Sequence, residues 1–235
     1  MLFGFFTANL YAAKHDLCRE LAERTLTLAE KQKALVPLVV GHRMMAITLL
    51  LSGAIEQSRK HFDQALTLYD PVEHRSQAIR FGFDPRVVIL GVRSRALWLL
   101  GHPNRGLADA EDALNGARAA GHAPTLLVAL VSIEKIYLFS GNHTAASAAL
   151  NELGALADEK GASAWKTGET AGRGRLFALT GDPSGAVQKL TSGLADAAQR
   201  ATGNTLDQPF NLCCLAHLTP SSANSTRLSA ELAKL

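Results

Sequence analysis

The sequence predicts an all-α fold: about five antiparallel helical hairpins in one array with a period of roughly 40 residues. Three observations carry this. First, glycines stand at 101, 121, 141, 161 and 181, each after an apolar run, where a helix end favours a residue that accepts positive φ. Second, the segments around alternate glycines share a register. AITLLLS precedes Gly53, RALWLL Gly101, IYLFS Gly141 and LFALT Gly181, and nine positions after each comes Phe62, Ala110, Leu150 or Leu190. Three positions later the residue is again small or apolar: Ala65, Ala113, Leu153 and Gly193. Third, 47 % of residues are apolar but only 6 % aromatic, so Leu and Ala fill the interior, which suits close helix packing and not a sheet. Stacked hairpins form a solenoid, an architecture that usually binds and seldom catalyses.

The N-terminal MLFGFFTANLYAA reads as the first helix of the array. As a secretion signal it lacks a basic leading region, and Asn9 interrupts its apolar stretch. Lys14-His15-Asp16 forms the first turn, without a glycine. Residues 35–51 come nearest to a membrane span, but His42 and Arg43 lie in their middle, so no membrane partner is expected. Between Gly53 and Gly101 the spacing is 48, and the extra residues fall in YDPVEHRSQAIRFGFDP. An inserted loop is therefore expected at 70–84, with His74, Arg75, Arg80 and nearby Arg86 as its candidate functional residues. Pro103 and Pro183 open second helices and Pro124 a first helix, where the missing N–H costs nothing. Gly121, Gly161 and Gly203 close second helices, so helix lengths of about 15–18 residues follow. The array is expected to cover 1–218. Beyond it TPSSANST loses periodicity, and 219–235 reads as a flexible tail in which only Leu228–Leu235 has a helical pattern.

The charge balance, 24 basic against 21 acidic residues, gives no basis for expecting nucleic acid as a partner. Cys18, Cys213 and Cys214 offer neither a disulfide framework nor zinc spacing, which points to a reducing, cytoplasmic setting. Among the histidines, His102 and His143 belong to turns on one edge of the array and His122 to the opposite edge, so no metal site is expected. AGRGRLF lacks the Lys-Ser/Thr ending and preceding strand of a phosphate loop. Its glycines Gly172 and Gly174, with Gly168, fall where the repeat requires a helix and predict a weak one. No nucleophile elbow is present, and neither an enzyme nor a cofactor is expected. The candidate binding residues are cations. Arg95, Lys135 and Arg175 are spaced by 40, and Arg93 and Arg173 repeat two positions earlier. One register on successive first helices predicts a basic column, suited to an acidic peptide, a carboxylate or a phosphate. The alternative is a solvated column screened by salt.

YDPVEHR, RFGFDPRVVILGVRSRALWLLGHPNRGLADAEDAL, ADEKGASAWK and LFALTGDPSGAV resemble the C-terminal tetratricopeptide-like region of bacterial signalling proteins. In these, a class III adenylate/guanylate cyclase or DNA-binding domain precedes an AAA-type ATPase module. The resemblance covers roughly residues 3–217 and is most specific from Asp84 to Gly101. It implies a right-handed superhelix and a regulatory module that senses a ligand or protein partner and controls an ATPase, cyclase or transcription domain. The alternative is a C-terminal fragment of such an enzyme, since neither a GxxxxGK[ST] loop nor the cyclase aspartate pair occurs in this sequence. Uncapped end hairpins would expose apolar faces, so homodimerisation through one end is also expected.

Overall fold

A computed structural model describes residues 2–71, 82–199 and 207–218. Among the described residues there are eleven α-helices and no strand: α1 (Leu2–Tyr11), α2 (His15–Gln32), α3 (Leu35–Leu51), α4 (Ile55–Thr67), α5 (Pro85–Leu99), α6 (Pro103–Ala120), α7 (Ala123–Phe139), α8 (His143–Glu159), α9 (Ser163–Thr180), α10 (Pro183–Gln199) and α11 (Gln208–Leu218). The all-α expectation holds. Helices α2, α3 and α5 to α10 run 15–18 residues as expected, whereas α4 stops after 13. The Gly203 turn, most of the 70–84 loop and the 219–235 tail lie outside the described residues.

The helices end where the glycines predict. Gly53, Gly101, Gly121, Gly141, Gly161 and Gly181 all have φ between 60° and 88°. At the odd turns the N–H after the glycine donates to the carbonyl five residues back: Ala54 to Leu49, His102 to Leu97, Asn142 to Tyr137 and Asp182 to Phe177, at 2.8–3.0 Å. This closure satisfies carbonyls that a helix end otherwise leaves unpaired. Starts are equally local. The Asp84 carboxylate accepts the Arg86 N–H at 2.8 Å ahead of Pro85, and Asp182 accepts the Gly185 N–H at 2.9 Å ahead of Pro183.

The 20-residue punctuation also runs further back than the glycines indicate. Lys33 (φ 50°) and Ala13 (φ 54°) take the same left-handed conformation, and Ala34 and Lys14 close the same hydrogen bond, to Ala29 and Asn9, each at 3.0 Å. Lys33 is exposed, so its side chain sacrifices little on removal. Lys33→Gly is therefore expected to stabilise the protein by about 0.5–1 kcal/mol by relieving the left-handed strain. A thermal melt that fails to rise would contradict this turn assignment.

The chain divides into two compact units, residues 1–10 with 14–142 and residues 11–13 with 143–235. In the first, α3 packs on α2 and α4, α4 on α5, and α5 on both α6 and α7. The span-like α3 is a core helix, with Val39, Val40, Met44, Met45, Ala46, Ile47 and Leu49 all buried. Among the described residues no helix is long and apolar enough to cross a membrane. Arg43 is buried with them, its guanidinium 4.8 Å from the centre of the Phe3 ring. Burial pulls its pKa down to about 10, with the Asp84 charge acting in the opposite sense. In the second unit α8 and α10 pack on α9, and α11 rests on α9 and α10.

The predicted register is observed in the core. Phe62, Ala65, Ala110, Ala113, Leu150, Leu153 and Leu190 are each no more than 1 % exposed, and Gly193 is buried. One glycine expected to weaken α9 has a packing reason instead. A Cβ on Gly174 would lie 2.7 Å from Leu190 Cγ and 3.0 Å from its backbone nitrogen, so the missing side chain lets α9 and α10 approach closely.

Candidate functional site

The five candidate cations divide between the units, Arg93, Arg95 and Lys135 in the first and Arg173 and Arg175 in the second. Arg93 projects from α5 into a three-helix ion cluster. Its Nε and Nη2 donate to both oxygens of Asp109 on α6, at 2.7 and 2.9 Å, and Nη1 donates to Asp63 on α4 at 2.8 Å. The second Asp63 oxygen accepts from Arg59 at 2.5 Å, and Arg59 also pairs with Glu56. Burial works against the Arg93 charge, but Asp109 and then Asp63 outweigh it and hold its pKa above the usual value.

Lys135 is only 3 % exposed. Its ammonium donates to the Val131 carbonyl at 2.8 Å and lies 3.7 Å from the buried Glu134. Arg175, 2 % exposed, donates to Asn211 on α11 at 2.7 Å with its guanidinium 5.7 Å from the Phe210 ring centre. Neither presents its charge in a surface groove, because both side chains are turned into the packed interior. Arg173 pairs with Glu169 one turn back on α9 and donates to Asn151 on α8 at 2.9 Å. Arg95 is half-buried on α5, and Arg86 lies on the first turn of the same helix, 3.9 Å from Asp112. His74, Arg75 and Arg80 lie outside the described residues.

Arg93 and Arg173 stand eight positions before Gly101 and Gly181, while Asp63 and Asn151 stand ten positions after Gly53 and Gly141. Each arginine thus reaches back to the same register position of the preceding helix, once in each unit. The recurrence of an acid or amide ten after a turn glycine was the available signal for this bridge.

Two recesses accompany these clusters. In the first unit His42, Asp63, Gln64, Thr67 and Leu68 line about 370 Å³. In the second, Asp158, Ser163, Lys166, Thr167, Thr170 and Asp196 line most of one of about 270 Å³. There Lys166 pairs with Asp158 at 2.7 Å, a hydrogen bond that raises the lysine pKa. Sequence reasoning also missed a pair of facing imidazoles, His42 and His61, on neighbouring helices. The two histidines sit at unrelated turn offsets, and only the pairing of α3 with α4 unites them. Among the described residues no group of three or more His, Cys, Asp or Glu side chains could hold a metal ion.

No protein-family profile matches the chain, and no curated protein is significantly similar to it.

Proposed function

We propose that this chain is a non-catalytic helical-repeat module that binds a protein segment and regulates a partner domain. In this reading the repeat builds about five tetratricopeptide-like hairpins, of which α3–α4 and α5–α6 pack in the first unit and α9–α10 in the second. The observation that carries it is the shared register: turns at 13, 33, 53, 101, 121, 141, 161 and 181 have the same left-handed residue. An interior built by repetition supplies extended surfaces and leaves side chains outside the register free to vary, which is how repeat proteins recognise partners.

The partner expected is an acidic peptide or protein segment, or a small anionic ligand, with Arg86 and Arg95 on α5 as its contacts. Arg93, Lys135, Arg173 and Arg175 support the scaffold instead. The resemblance to signalling proteins favours an ATPase, cyclase or transcription regulator as the controlled domain. A pull-down with the purified chain at low and high salt tests the reading, together with the same capture by Arg86→Glu/Arg95→Glu. Expected is a partner retained at low salt, released by high salt and lost at least tenfold in the double variant, with helicity unchanged. A partner held equally by wild type and variant would remove the basic contact, and no partner at any salt would overturn the module reading.

A further inference from the structure

His42 of α3 and His61 of α4 face each other across their hairpin with Nδ1 atoms 2.9 Å apart. Their ring centres are 5.2 Å apart, about that separation plus two ring radii, so the nitrogens meet nearly head-on. Such a contact needs one proton between the rings. One imidazole carries Nδ1–H, while the other keeps its proton on Nε2 and offers a lone pair. A neutral pair satisfies this, and so does a pair holding one added proton. Two imidazolium rings do not, because both Nδ1 atoms then donate and two positive charges stand within hydrogen-bonding distance.

The surroundings offer little relief for that second charge. Helix α2 turns Leu26 onto Gly41 beside His42, and its charged residues Glu23, Arg24, Glu30 and Lys31 are all exposed. On α4, Lys60 is exposed, and Asp63 shares the recess with His42. Both Asp63 oxygens are already held, one by Arg59 and the other by Arg93 of α5, so cations neutralise the nearest carboxylate.

We propose that the His42–His61 pair is an acid-operated latch: it fastens α4 to α3 while at most one proton is added, and double protonation releases α4 together with its Asp63 anchor in the α4–α5–α6 ion cluster. Electrostatics agree with the geometry. Burial, then the His61 charge, push the His42 pKa down to about 4, and burial lowers that of His61. Both bases are harder to protonate folded than unfolded. The unfolded chain therefore takes up protons first, and stability that is complete above about pH 6.5 is lost as pH falls towards about 4.

The test is amide hydrogen exchange of α4 in the whole chain at pH 7 and pH 5, corrected for intrinsic rates, for wild type and His61→Asn. Asparagine places a hydrogen-bonding group near the Nδ1 position without titrating. Expected is a roughly tenfold or larger rise in α4 opening on acidification of wild type and a clearly smaller rise in the variant, where His42 alone still titrates. Equal acid responses would overturn the latch. Nitrogen NMR of the wild-type rings decides independently of any variant. One Nδ1–H and one Nε2–H tautomer at pH 7, with the last protonation well below the usual histidine value, is the expected result. Two Nε2–H rings titrating independently near about 6.5 would overturn it.

Discussion

Replacing Arg93 by alanine is expected to cost the α1–α7 unit about 3 kcal/mol, near the lower end of the range for breaking a buried ion pair. The loss should exceed that of an ordinary surface arginine, because the side chain is 16 % exposed and its Asp109 partner 13 %. Truncation strands Asp109 without its two donors and leaves Asp63 with Arg59 alone. An uncompensated buried carboxylate then carries a desolvation penalty that the pair had offset. Urea denaturation followed by circular dichroism reads the effect, and a double-mutant cycle with Asp109→Ala should return a coupling of about 1–3 kcal/mol. Were Arg93 instead a ligand contact in an open groove, stability would be unchanged and the cycle would return no coupling.

This expectation differs from the one the sequence alone suggested, and the difference has a physical origin. Glycine every 20 residues is legible because the left-handed turn restricts residue choice more than any other position does. The buried positions nine and twelve after each turn are legible for a related reason: helix packing leaves no polar alternative there, and Phe62, Leu150 and Leu190 are each 0 % exposed. Lys33 and Ala13 escaped notice because a non-glycine residue can occupy the same turn at a modest cost, leaving no mark in the sequence. The arginines were legible as a period but not as a role. Periodic charge says that a register is shared, not whether that register faces solvent or the neighbouring helix. Asp63 and Asp109 settle the matter for Arg93, and they come from helices on either side of α5. The histidine latch was illegible because its members lie on two helices and repeat nowhere else.

Arg175 is where the two readings separate most cleanly, and Arg175→Ala is expected to undock α11 from α9. Helix α11 has 11 residues, too few to hold a helix in water by itself, so its order depends on what fastens it. The Arg175 guanidinium is one fastener, through its 2.7 Å bond to Asn211 and its position over Phe210. Asn211 is 5 % exposed, and removing the donor leaves its carbonyl oxygen buried without that bond. The lost bond and the lost packing of the long arginine stem together predict a cost of about 2–3 kcal/mol in the second unit. Two cysteines on α11 make the undocking visible. Cys213 is exposed and Cys214 half-buried, and burial is the main cause that raises the Cys214 thiol pKa. In the wild type, alkylation should reach Cys213 well before Cys214. In Arg175→Ala the Cys214 rate should rise towards that of Cys213, with faster amide exchange across 208–218. Because Arg175 also lowers the Cys214 thiol pKa, an unchanged Cys214 rate together with unchanged amide exchange across 208–218 would mean that α11 stays docked without Arg175. The 40-residue spacing from Lys135 would then need a function other than holding this helix in place.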